Sequence, residues 1–260
     1  LIALAAVKKI GDQRKLAEVA RHGVDPVVCK AAAKRLTDQG LLSDVLRTEG
    51  SPEARRLMVA KTTDQDVLAD IACGDGDVEL RAAAIAKIDR LGLLIAIATK
   101  AQQADSRRQA LTRVRDGNVR ARLAKSDPDS GVRLAALEKL HNPRLLIDVA
   151  RNAEATDVRV AAVARLEDAA LLAELLVSDP AEEVRAEAFR RIEDPSLVAD
   201  VAEQDPSWAI RREAIRKLDD HELLARIARN DPDERVREAA LRRVHDQATL
   251  RNRAATDKSW

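Results

Sequence analysis

The sequence predicts an all-α fold, an α-solenoid of about ten two-helix repeats of 26 residues. Three observations predict it. First, Arg55, Arg81, Arg107, Arg133, Arg159, Arg185, Arg211 and Arg237 follow one another at steps of 26 residues, with no insertion. Second, independent columns keep the same step. Ala84, Ala110, Ala136, Ala162, Ala188, Ala214 and Ala240 form one, and Ile88, Val114, Leu140, Leu166, Ile192, Leu218 and Val244 another. Third, each period holds two apolar stripes at helical spacing, and no stretch alternates with period two.

Residues 127–152 form the clearest unit. Asp127 is read as the N-cap of the first helix and Pro128 as its first residue. Val132, Ala136 and Leu140 recur at spacing four, one apolar stripe. Asn142 and Pro143 repeat the cap-then-proline signature, and Leu145, Leu146, Val149 and Ala150 form the second stripe. The Asp-Pro start returns at Asp179, Asp205 and Asp231 for first helices and at Asp194 for a second. Asp12, Asp38, Asp64, Asp116, Asp168, Asp194, Asp220 and Asp246 are predicted to begin second helices, with Asn142 equivalent and Arg90 a break. Neither short helix hides its apolar face alone, so each unit must stack on its neighbours.

The reading is one array over residues 1–260. Its register is weakest at 89–120, where Arg90, Gln102, Gln103, Gly117 and Arg120 replace the usual residues, and Thr62 weakens the third unit. Leu1 falls in mid-helix by repeat phase, and Asp257 to Trp260 copy Asp205 to Trp208. A segment of a longer protein is therefore expected.

Composition removes several classes. Apolar residues are 46% and charged residues 34% of the chain, with a formal charge of +1, so a disordered chain is excluded. A membrane helix needs roughly 20 apolar residues, and none is present. The start Leu1 to Val7 precedes Lys8 and Lys9, the reverse of a signal peptide. Two cysteines make no disulfide framework, and a cytoplasmic setting is expected.

The most pointed functional candidate is one basic column. Lys9, Arg35, Lys61, Lys87, Arg113, Lys139, Arg165, Arg191, Lys217 and Arg243 hold one position in ten units. Lys8, Lys34, Arg190, Arg216 and Arg242 thicken it. Such a row suits an acidic partner or a phosphate backbone, or else complements helix dipoles at C-termini. The Arg133-type column is expected to bridge to acids or carbonyls of neighbouring units. Glu18, Asp44, Asp70, Asp148, Glu174 and Asp200 should be solvated and repel nucleic acid on their face. Trp208 and Trp260 are either packed on the adjacent turn or anchors for a partner.

Catalytic signals are sparse. His22, His141, His221 and His245 form no His-x-x-x-His pair, Cys29 and Cys73 are not at equivalent positions, and no Gly-rich phosphate loop exists. No cofactor, metal site or catalytic residue is assigned. With three aromatics, Phe189, Trp208 and Trp260, a base-extruding pocket is disfavoured.

The pattern Asp-Pro-x-x-x-Val-Arg-x-x-Ala-hydrophobic, seen best at Asp231-Pro232 with Val236-Arg237 and Ala240-Leu241, resembles the HEAT repeat. It is most similar to the short bacterial HEAT-like units of phycobilin lyase-type proteins. That resemblance implies a scaffold or binding role, and with the sparse catalytic signals a non-catalytic scaffold holding a protein partner is expected. A nucleic acid or other polyanion along the basic column is the alternative, and an accessory subunit of a lyase or hydroxylase a third. HEAT-like deoxyhypusine hydroxylases need several His-Glu dyads, and this chain has one, His221-Glu222.

Overall fold

The computed structural model describes residues 2–48, 50–74 and 76–256, the last eleven of these by backbone alone. Among them are nineteen helices and no strand. The chain divides into two compact units, Leu1–Leu145 and Leu146–Trp260.

The first unit contains α1 (Ile2–Lys9), α2 (Gln13–His22), α3 (Pro26–Arg35), α4 (Gln39–Leu46), α5 (Pro52–Lys61), α6 (Gln65–Gly74), α7 (Val78–Lys87), α8 (Leu91–Lys100), α9 (Ala104–Arg113), α10 (Gly117–Ser126), α11 (Ser130–Glu138) and the start of α12 (Pro143–Asn152). The second contains the rest of α12, then α13 (Thr156–Val163), α14 (Ala169–Ser178), α15 (Glu182–Arg190), α16 (Pro195–Gln204), α17 (Trp208–Lys217), α18 (His221–Asn230) and α19 (Glu234–Thr256). Odd-numbered helices are the first helices of the repeats. Successive ones pack together, α3 on α5, α5 on α7, α7 on α9 and α9 on α11 in one unit, α13 on α15, α15 on α17 and α17 on α19 in the other. Even-numbered helices pack on the next first helix, as α10 does on α11 and α16 on α17. Each unit is thus a stack of helical hairpins, the all-α repeat solenoid that the 26-residue period predicts.

The alanine column explains the close approach of first helices. Ala84, Ala110, Ala136, Ala162, Ala188, Ala214 and Ala240 are all fully buried, and a methyl group permits axes near the lower end of ~8–10 Å. The Leu140-type column does not belong to the helical stripe. Leu36, Ile88, Val114 and Leu218 are C-cap residues in extended conformation, buried as plugs beneath the turn.

The Asp-Pro reading needs correction. The N-cap of the first helix lies two residues later. Asp25, Asp77 and Asp129 hold it in the first unit, Asp129 accepting the Val132 N–H at 2.9 Å. Asp127 instead ends α10 as its C-cap residue, and Pro128 lies outside α11. The caps beyond Asp179 and Asp205 are Ala181 and Ser207. Beyond Asp231, Asp233 accepts the Arg235 N–H at 2.9 Å. The reason is burial: Asp127, Asp179, Asp205 and Asp231 lie inside the stack, aimed at a different partner.

Second-helix caps fall as expected. Asp12, Asp38, Asp116, Asp168, Asp194 and Asp220 each accept backbone N–H groups of the following turn, as do Asp64 and Asn142. Asp246 is the exception, because α19 runs through it unbroken. At several other turns a basic side chain of the next repeat takes the freed carbonyls. The Ala-, Arg- and Leu-rich sequence of α19 continues as helix by its own propensity.

Within 89–120 the helices also persist, with substitute contacts. Arg90 provides no side-chain cap, but its guanidinium meets Asp66 at 2.8 Å. Thr62 is fully buried, and its hydroxyl accepts the Asp64 N–H at 3.3 Å. A missing cap gives a direct test elsewhere: Ala155 is the N-cap residue of α13 and offers no side-chain acceptor. Ala155→Ser should raise stability by about 1 kcal/mol, read from the urea midpoint.

Candidate interaction surface

The basic column is largely consumed within the fold. The Lys61 ammonium donates to the carbonyls of Ala33 at 2.9 Å, Lys34 and Leu36 at 2.9 Å. Lys87 donates to Val59, Ala60 and Thr62, and Lys217 to Phe189, Arg190 and Ile192. Arg35 reaches the Val7 carbonyl, Arg113 those of Ile85 and Ala86, Arg191 that of Ala164, and Arg243 that of Leu218. Each therefore closes the C-terminus of the preceding repeat's first helix, 25 to 28 residues earlier in the chain. The cation complements that helix dipole, not only its own. Burial pushes the Lys61 and Lys87 amines below the ordinary lysine range. The carbonyl dipoles on each ammonium act in the opposite direction.

Lys9 and Lys139 are exposed, and Arg165 lies exposed just after α13. Lys139 is displaced by Arg120, a residue that breaks the repeat pattern. Arg120 Nε donates to the Val114 carbonyl at 2.9 Å, 25 residues before Lys139 and therefore its expected acceptor, and Arg120 Nη1 donates to the Lys139 carbonyl. Lys139 turns instead to Glu138 at 3.3 Å.

The arginine column forms a second internal network. Arg107 grips Asp127 through two parallel bonds, Nε to Oδ2 at 2.9 Å and Nη2 to Oδ1 at 2.8 Å. Its Nη1 donates to the Ala101 and Gln102 carbonyls at 2.8 and 3.0 Å, and Asp127 accepts the Asp129 N–H at 2.9 Å. One arginine thus ties the end of one second helix to the start of the following repeat. The arrangement recurs as Arg159–Asp179, Arg185–Asp205 and Arg211–Asp231, all buried. The sequence carries the signal, an aspartate 20 residues after the arginine. Where alanine stands at 101, Arg81 reaches Asp105 at 2.6 Å instead.

Bonding to the carboxylates raises the pKa of the Arg107 and Arg211 guanidiniums. For Asp231, burial pushes upward, but the bonds from Arg211 and the Asp233 N–H prevail and hold the carboxyl below its usual range. Asp64, bonded by Ser43 Oγ at 2.9 Å, is also held low. A depressed folded pKa contributes stability that is fully present above the unfolded value, about 3.9, and is lost as pH falls through the folded one. Stability should therefore be flat through neutral pH and decline below about pH 4, measured by urea titrations across acid pH.

Two exposed rows and one partly exposed tryptophan remain at the surface. The row Lys8, Lys34, Arg190, Arg216 and Arg242 is exposed. Glu18, Asp44, Asp70, Glu174 and Asp200 are exposed on second helices, with Asp148 half-buried. Trp208, at the start of α17, is half-buried between two guanidiniums, Arg212 at 5.0 Å and Arg235 at 4.3 Å from the ring centroid. It therefore packs on the next turn of its own helix and on α19. Trp260 lies outside the described residues. Among those residues no three His, Cys, Asp or Glu side chains group as a metal site, and no helix is long and apolar enough to cross a membrane.

No family model matches the chain, and a comparison with curated proteins finds no significant match. Among solved structures, a designed armadillo repeat protein is similar at 19% identity over 93% of this chain and 97% of that one, with a TM-score of 0.18.

Proposed function

We propose that the chain is a non-catalytic scaffold that binds a protein partner through rows of side chains displayed by its helices. The supporting observation is the division of its charges. The basic column and the arginine column close the stack from within. The neighbouring rows, Arg190, Arg216 and Arg242 on first helices and Glu18, Asp44 and Asp70 on second helices, face solvent at repeat spacing. The arginines of these rows meet only carboxylates of their own helices, pairs worth little that a partner can replace. The resemblance to HEAT-like units agrees with this reading, and a cytoplasmic setting is proposed with it.

Cross-linking through surface amines in a lysate of the native cells tests it. One protein should couple repeatedly to the same helical residues and be displaced by excess unlabelled chain. The polyanion alternative draws on the exposed row of Lys8, Lys34, Arg190, Arg216 and Arg242. A mobility shift with short DNA or RNA that falls steeply with salt, and vanishes in an Arg190→Glu, Arg216→Glu, Arg242→Glu variant, would replace the scaffold reading. Retention of iron or a bilin would favour the enzyme-accessory reading.

A further inference from the structure

The second unit carries one interface that departs from its own repeat. Between α17 and α19 lies an open groove of about 360 Å³, lined by Arg212, Arg216, Arg235, Arg242, Arg243 and Glu238 among others. One repeat earlier, the positions of Arg212 and Arg235 hold Ala186 and Ala209, and that of Trp208 holds Glu182. The fold is built there with small or acidic residues. The Trp208–Arg212–Arg235 stack is thus an addition that helix packing does not require.

We infer that this groove docks an acidic peptide segment of a protein partner. The inference rests on the scaffold reading and supplies its site and partner chemistry. Arg212 and Arg235 are stacked on opposite elements around Trp208, which orients their donor forks before any ligand arrives. Arg212 Nε is shielded from solvent and has no hydrogen-bond acceptor among the described residues. The other arginines meet carboxylates that solvent reaches, and Arg243 also donates to the Leu218 carbonyl. Arg216 meets Glu213 at 2.6 Å, Arg242 meets Glu238 at 3.5 Å and Arg243 meets Asp219 at 3.1 Å. Such pairs are worth little and exchange readily for an incoming carboxylate.

Peptide is favoured over nucleic acid by three features. The stacked arginine pair is confined to this interface, since Ala186 and Ala209 stand at the equivalent positions one repeat earlier. Glu213, Glu238 and Asp219 interrupt the arginines, so the cations form isolated forks for single carboxylates and not the unbroken row that a phosphate strand tracks. Ile215 and Ala239 line the groove next to the guanidiniums, which suits a peptide mixing carboxylate and aliphatic side chains.

The chain contains no tyrosine and two tryptophans, so a Trp260→Phe variant leaves Trp208 as the sole reporter. Its fluorescence is titrated at low salt with a capped octapeptide of glutamate and leucine, the same peptide with glutamine for glutamate, and oligothymidylate. The glutamate peptide should saturate the signal and bind at least about tenfold more tightly than the glutamine peptide. Arg212→Gln with Arg235→Gln should weaken it about tenfold, and so should Arg216→Gln with Arg242→Gln, which leaves the tryptophan stack in place. Unchanged helical circular dichroism certifies the fold of both variants. Absence of peptide binding, affinity unchanged from the unaltered groove in either double variant, or tighter binding of oligothymidylate overturns the inference. If the cross-linked partner persists in the Arg212→Gln, Arg235→Gln variant, the groove assignment falls and the scaffold reading stands. If the unaltered chain couples to no protein, the scaffold reading itself falls, whatever the octapeptide does.

Discussion

Replacing Asp205 with alanine should destabilise the second unit by about 3–5 kcal/mol. The substitution leaves the Arg185 guanidinium buried, with Nε and Nη2 stripped of their acceptors and only the Asp179 and Pro180 carbonyls on Nη1. It also removes the acceptor of the Ser207 N–H, 2.7 Å from Asp205 Oδ1, which is itself buried. An uncompensated buried charge costs more than the pair contributes over an apolar substitute. Arg185→Met with Asp205→Leu should therefore recover most of the loss. Asp44→Ala, on an exposed second-helix position, should change stability by less than about 0.5 kcal/mol. Melting followed by circular dichroism should show the Asp205→Ala midpoint lowered by about 10 °C or more. A single-variant loss no larger than that of Asp44→Ala would sink the structural role of the Arg–Asp network.

Phe189→Ala should cost a comparable amount, about 3–5 kcal/mol. The ring is 1% exposed, and the Lys217 ammonium sits 4.7 Å from its centroid. Truncation opens a cavity under that ammonium, which also holds the Phe189 and Ile192 carbonyls at 3.1 and 2.8 Å. Packing and helix closure are thus lost together. Equivalent positions carry Val163, Leu137, Leu111, Ile85 and Ile215, so Phe189→Leu should cost less than about 1.5 kcal/mol. A urea titration of both variants separates the two effects. Equal losses would mean that the aromatic face, not its volume, is what the site needs.

Much of the fold was legible because its cause is local and repeated. Apolar residues at helical spacing, with caps at Asp12, Asp116 and Asp220, specify short amphipathic helices wherever they occur. Copies at one fixed step specify stacking. Less legible was the aspartate before each proline. Asp127 and Asp129 are both good caps by residue type, and only burial against Arg107 assigns the first to the network and the second to the cap. Arg120 could be recognised as irregular, but its substitution for Lys139 depends on two carbonyls brought together by packing. Asp246 was misread because a residue suited to capping permits a helix start without compelling one, and the helix-favouring sequence around it continues as α19.

The sequence by itself determined the all-α repeat architecture, the 26-residue unit and the rows into which charges are sorted. The tertiary structure decided which rows are available. Lys61, Lys87 and Lys217 look like a binding stripe in one dimension, yet each ammonium is held by carbonyls 25 to 28 residues away. The physical reason is that helix ends leave carbonyls unsatisfied, and only stacking brings a neighbour's cation within hydrogen-bond reach of them. The same stacking sets Arg212 and Arg235 around Trp208, a juxtaposition that no repeat column contains.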